Sequence, residues 1–106
     1  MKGRRSRLPR SVRIGFRDVP IAVRDFADQA EYGCYHVHED RIEINAGLKA
    51  SMRSLVTVHE CLHAMFATAM PAVDDQTEEV IVRALTPQIL GWIRDNPRLM
   101  ALLADR

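Results

Sequence analysis

The 106-residue chain is 47% hydrophobic and 27% charged with a net charge of +1, the profile of one ordinary globular domain and not of a fibrous or disordered chain. No apolar run approaches the ~20 residues of a membrane-spanning helix, and the basic N-terminus lacks the apolar stretch of a secretory signal, so a cytoplasmic protein without a membrane partner is expected. Its two cysteines, Cys34 and Cys61, form no recognisable disulfide framework.

Charge is unevenly spread. Residues 1–13, MKGRRSRLPRSVR, hold six Lys/Arg and no acid, which leaves nine basic against fourteen acidic residues in the rest, a balance of −5. This reads as a flexible basic N-terminal arm ahead of a single domain spanning residues 14–106. Such an arm can touch nucleic acid or an acidic partner, although no nucleic-acid-binding motif follows it and a solvated, frayed terminus is the simpler reading.

Between Val12 and Val23 the sequence is rich in β-branched residues, with Val12, Ile14 and Phe16 at the period of a half-buried strand. Pro20 predicts that this strand ends early or lies at an edge. Residues 24–33 form a connector. In CYHVHEDRIEI, Tyr35 and Val37 alternate with His36 and His38, then Ile42 and Ile44 with Arg41 and Glu43, predicting a β-hairpin turning at Glu39-Asp40. Ser51 or Ser54 can cap a helix that Pro71 stops, with Leu55, Val58, Leu62, Met65 and Ala69 at helical spacing. A second helix is expected from near Asp75 to about Arg94, kinked or split at Pro87, and a short last helix from Pro97 through Leu103. About three strands followed by three helices predict a small α+β domain.

The chemistry is concentrated in His59-Glu60-Cys61-Leu62-His63. Histidines four apart share one helix face, so both imidazoles can hold one cation at ~2.0–2.1 Å. Glu60, turned about 100° from His59, does not compete for that position but can reach a water beside the ion. Two ligands plus a base is why H-E-x-x-H carries hydrolytic chemistry. The pattern arises by chance in on the order of a few per thousand chains of this length, and here it falls on a segment read independently as a helix. A single zinc ion is therefore expected.

A hydrolytic zinc site wants a third protein ligand and one open position. The extended pattern with Gly and His at 66 and 69 is excluded by Phe66 and Ala69. Candidates are Glu78, Glu79, Asp74, Asp75, His36 and His38. On the second helix Ile81, Val82, Leu85, Ile89 and Trp92 define an apolar stripe; Glu78 falls near its middle and Glu79 about 100° away. Glu78 is thus the expected ligand and Glu79 the alternative, with Asp75–Glu78 also fitting a capping box that would fold Glu78 back on the backbone. Tyr35, His36 or His38 can supply an oxyanion donor or a substrate contact. Cys61 points off the ligand face towards the core.

The segments LVTVHECLHAMF, TEEVIVRAL and ILGWIRDNPRLMALL, with the preceding hairpin, resemble small phage- and prophage-encoded gluzincin metallopeptidases related to the repressor-cleaving ImmA/IrrE family. The likeness covers about residues 30–103. It implies a minimal zincin-like domain in which His59, His63 and Glu78 hold the metal and Glu60 is the base. The chain departs from the larger members in lacking an LLMP-like ending and a recognition domain, so the substrate does not carry over.

The expected function is therefore a zinc-dependent endopeptidase, a hydrolase acting on a protein or peptide. The alternatives are a catalytically silent, metal-stabilised binding module of a phage, or a nucleic-acid-associated protein using the basic arm. Manganese, iron and cobalt also suit two histidines and a glutamate.

Overall fold

The computed structural model describes residues 7–106 as β1 (Ser11–Ile14), β2 (Arg17–Arg24), β3 (Gly33–His36), β4 (Arg41–Asn45), α1 (Ala50–Ala69), α2 (Asp75–Asp95) and α3 (Pro97–Ala104). The four strands form one sheet in the order β1-β2-β4-β3, antiparallel except for the central β2–β4 pair. The α+β class holds, with four strands in place of about three. The extra strand arises because the β-branched run is folded on itself: Ile14 pairs with Arg17 across Gly15-Phe16. Gly15 has φ +62°, as a two-residue hairpin with glycine at its first central position requires. Phe16, expected on a strand, is 99% exposed at this tip.

Charge had assigned Ser11, Val12 and Arg13 to the arm; they are strand residues. Met1–Ser6, the rest of its basic start, lie outside the described residues. Pro20 also departs from expectation, since β2 is central. The Ile21 N–H bonds the Arg10 carbonyl on the β1 side at 2.8 Å, so position 20 faces the other side. There the pairing with β4 starts only at Ile21, and no ladder bond is forfeited.

The β3–β4 hairpin forms as read, but its connection is the four residues 37–40 instead of a two-residue turn. Asp40 takes φ +51°, a conformation short polar side chains tolerate. Its carboxylate accepts from the Tyr35 hydroxyl at 2.6 Å and Arg17 Nε at 2.8 Å. The same guanidinium donates to the Ala64 carbonyl at 2.6 Å and Thr68 Oγ1 at 3.1 Å, tying the hairpin to α1. These bonds with Arg17 and Tyr35 hold the Asp40 carboxyl below its ordinary range.

One sheet face carries Val19, Ile21, Ile42 and Ile44 against Val56 and Ala64 of α1, and this is the core. The opposite face centres on buried Glu43. It accepts from Arg24 at 2.7 and 3.0 Å and from Arg41 at 2.9 Å, and pairs with His36 Nε2 at 2.7 Å. Arg24 above all, with His36 and Arg41, brings the Glu43 carboxyl down to about 2 against its burial. A carboxylate lowered by folding contributes stability above its unfolded value near 4.5, and loses it as pH falls through that value towards 2. Because Arg24 stands half in water, screening reduces the contribution to about 1–2 kcal/mol. Urea melts of wild type and Glu43→Gln are expected to differ at pH 7 by this amount and to converge near pH 2; equal stabilities at both pH values contradict the assignment.

Helix α1 begins at Ala50, two residues earlier than a Ser51 cap and five earlier than a Ser54 cap would start it: Lys49 is the N-cap residue without a side-chain bond, and Ser54 Oγ bonds back to the Ala50 carbonyl at 3.5 Å. Pro71 ends it, with Met70 closing the last turn on Phe66. The next helix is capped by Asp74, not Asp75. Its carboxylate accepts the Thr77 N–H and hydroxyl, both at 2.9 Å, so Thr77 and not Glu78 closes the first turn. Pro87 lies inside α2 without splitting it. Residues 70–74 return the chain, laying α2 beside α1, while Pro97 opens α3 at its first position.

Candidate metal centre and groove

Helix α1 presents His59 and His63 one turn apart, with ring centroids 4.9 Å from each other. Facing them across the α1–α2 contact stand Glu78, in the first turn of α2 where the helix N-terminus favours negative charge, and Glu79 just beyond that turn. The Nε2 atoms of both rings converge on Glu79 Oε1, at 3.4 Å from His59 and 2.9 Å from His63. Ligating atoms of His59, His63 and Glu79 all lie within 4.8 Å of one another.

Glu79, the alternative in the sequence reading, is thus the carboxylate brought to both rings. Glu78 lies on the other side of His63, its Oε2 2.5 Å from Nδ1. The helical phase misleads because the buried residues of α2 are Val82 and Thr86, whereas Leu85 and Trp92, counted in the apolar stripe, are 41% and 49% exposed. Thr86 is a polar residue made burial-compatible by donating its hydroxyl to the Val82 carbonyl at 2.7 Å. Glu78 and Glu79 straddle the true face. The stripe on α1 is likewise rotated: Val56, Glu60, Leu62 and Ala64 are buried, Met65 and Ala69 exposed.

These residues fit a divalent cation. Donors at ~2.0–2.1 Å from a tetrahedral ion stand about 3.4 Å apart, the His59–Glu79 separation, and the His63–Glu79 distance needs to open by only about half an ångström. The protonation pattern points the same way. Both nitrogens of His63 face carboxylate oxygens, which without a cation requires an imidazolium donating twice. Burial pulls the His63 pKa down, yet bonds to Glu78 and Glu79 and the nearby Glu60 raise it above its ordinary value. Burial keeps His59 below its own, against the pull of Glu79. Burial likewise works to raise Glu79, but His59, His63 and Arg83 bring it below the ordinary carboxylate range. A cation in place of the Nε2 proton meets the same electrostatic demand, with Glu78 holding the Nδ1 hydrogen and so the ring orientation.

Glu60 is buried behind this cluster, against β3. A Cβ on Gly33 would lie 2.7 Å from Val56 Cγ1 and 3.2 Å from Glu60 Cγ, so only glycine lets the strand approach the helix here. Burial, reinforced by Glu79, pushes the Glu60 carboxyl up to about 7, against the opposing pull of His63 and a Tyr35 backbone hydrogen bond. Sequence reading had no means of seeing Gly33 in this role, since a lone glycine before a strand also marks an ordinary loop end.

The cluster lies in a groove with two lobes of about 700 and 490 Å³, which share Gly33, His59, Glu60 and Glu79 as walls. Tyr35 lines the larger lobe, but its hydroxyl is given to Asp40. His36 is turned to the opposite sheet face by Glu43, and exposed His38 sits in the turn; neither lines the groove. Cys61 is half-buried against the core, where burial raises its thiol to about 11. Among the described residues no helix is long and apolar enough to cross a membrane. Comparison with family models, with characterised proteins and with solved structures yields no match to this chain.

Proposed function

We propose that the chain is a zinc-dependent endopeptidase of gluzincin type, with His59, His63 and Glu79 as metal ligands and Glu60 as general base. The observation that carries this reading is the convergence of both imidazole Nε2 atoms on one carboxylate oxygen, directly beside a buried glutamate and inside an open groove. A bound zinc ion supplies the Lewis acidity that polarises a carbonyl and eases deprotonation of water. Glu60 accepts the proton of the attacking water and returns it to the leaving amine. In the metal-free protein burial raises its carboxyl to about 7, and a cation bound beside it lowers that value towards the ionised form a base needs. Glu78 keeps the His63 ring in place through Nδ1.

β3 is an edge strand, paired with β4 alone in the sheet order, and its residues Gly33, Cys34 and Tyr35 form a groove wall. An extended peptide can add to such an edge by main-chain hydrogen bonds, which would bring a substrate carbonyl over the cluster. The test is cleavage of a denatured-protein mixture read by mass spectrometry. Zinc-loaded protein is expected to generate new peptide termini, chelation to abolish them and added zinc to restore them. Termini that persist unchanged in chelator, or none from stoichiometrically loaded protein, contradict the reading.

A further inference from the structure

We propose that α3 is a dimerisation element: two copies of the chain associate through their α3 helices laid antiparallel about a two-fold axis, Arg98 of each against the partner's Asp105. The starting observation is a helix with little to hold it. α3 has eight residues, a length at which propensity alone does not keep a helix formed. It rests against α2, yet none of its residues is buried: Leu99 and Met100 are half-buried, while Leu102 and Leu103 are 68% and 60% exposed. Trp92 and Ile93, in the last turn of α2 that leads into it, are also exposed. These side chains offer the apolar centre that an interface needs. No α3 residue lines either lobe of the groove, so this face is separate from the candidate metal centre.

Charge says what covers it. Arg98 stands in the first turn of α3 and Asp105 at its C-cap, each at the pole of the helix that repels it; the first turn holds no acid and the last no base. Among the described residues neither has an ion-pair partner. An antiparallel neighbour of the same kind reverses the relation, because its negative pole lies beside Arg98 and its positive pole beside Asp105. A second copy also brings the matching charges. Arg98 and Asp105 are seven residues apart, about two turns, so they share one face with Leu102 between them. Pairing 98 with 105 fixes the register: the two-fold axis falls between positions 101 and 102, which brings the two Leu102 side chains together at the centre and closes an ion pair at each end. Such a face is self-complementary, as a two-fold interface must be.

Sedimentation velocity of the full-length protein from about 1 to 500 µM at low salt is expected to show a reversible monomer–dimer equilibrium. Its dissociation constant should be about 10–100 µM, for a face smaller than the ~800 Å² per partner of a standard interface. Arg98→Glu and Asp105→Arg, each setting two like-charged pairs across the axis, are expected to raise that constant at least about tenfold, and the combined R98E/D105R chain to return to within about threefold of wild type. Circular dichroism melts report that each variant is folded. Wild type that stays monomeric throughout overturns the proposal and leaves the face to another partner. A dimer indifferent to the single substitutions, a double variant that does not recover, or growth beyond dimers overturns the antiparallel pairing.

Discussion

Glu60→Gln is expected to retain one zinc per chain and the wild-type melting profile, while peptide cleavage falls by about 10²–10⁴-fold, the usual worth of a positioned general base. Glutamine keeps the length and the planar end of the side chain, so the close approach of Gly33 to it survives. What it loses is the capacity to take a proton and give it back. The substitution also removes a carboxyl held near pH 7 by burial, whose ionisation costs the fold, so stability above that pH is expected to stay level or rise slightly. Single-turnover cleavage of a peptide identified from the mass-spectrometric screen, with zinc content measured on the same sample, checks this. Cleavage at the wild-type rate contradicts the role given to Glu60, and loss of zinc would mean that the carboxylate holds the ion instead of serving water.

The second large effect separates two adjacent glutamates. Glu79→Ala removes the oxygen on which both Nε2 atoms converge and is expected to abolish stoichiometric zinc binding. Glu78→Ala leaves the three donors intact and takes away only the acceptor at His63 Nδ1, which is expected to weaken zinc by ~10–100-fold, as for other partners of ligating histidines. Competition with a chromogenic chelator at fixed pH resolves these outcomes. The opposite ranking would restore the assignment drawn from helical phase, with Glu78 as ligand and Glu79 as its neighbour.

That ranking turns on what the sequence displays. The placing of His59 and His63 side by side needs nothing beyond a helix of 3.6 residues per turn, and the apolar run on either side of them announces the helix. The choice between Glu78 and Glu79 needs the rotation of α2 about its axis. Leu85 and Trp92 pull the apparent stripe round, yet both stand half-exposed, while Thr86 takes a buried place by satisfying itself on its own backbone. The capping box read at Asp75–Glu78 pointed away from Glu78 as a ligand, and it lies one residue off, because Asp74 is the cap and Thr77 closes it.

The sheet shows the same division. Alternation at Tyr35, Val37, Ile42 and Ile44 made the second hairpin legible. The first was hidden because β-branched residues run through it with only Gly15 as punctuation, and Pro20 argued against a central strand without revealing that β2 changes partners there. His36 illustrates a wider limit. Strand parity puts it on the face opposite Tyr35, but which face looks onto α1 depends on packing that Ile42 and Ile44 decide.

The most direct measurement is anomalous diffraction at the zinc edge from crystals of the zinc-loaded protein. One peak per chain within ~2.0–2.3 Å of Nε2 of residues 59 and 63 and a carboxylate oxygen of residue 79, with a coordination position left to solvent, is the result this account predicts. A peak elsewhere, a fourth protein ligand closing the ion off, or no peak at all from loaded crystals would contradict it.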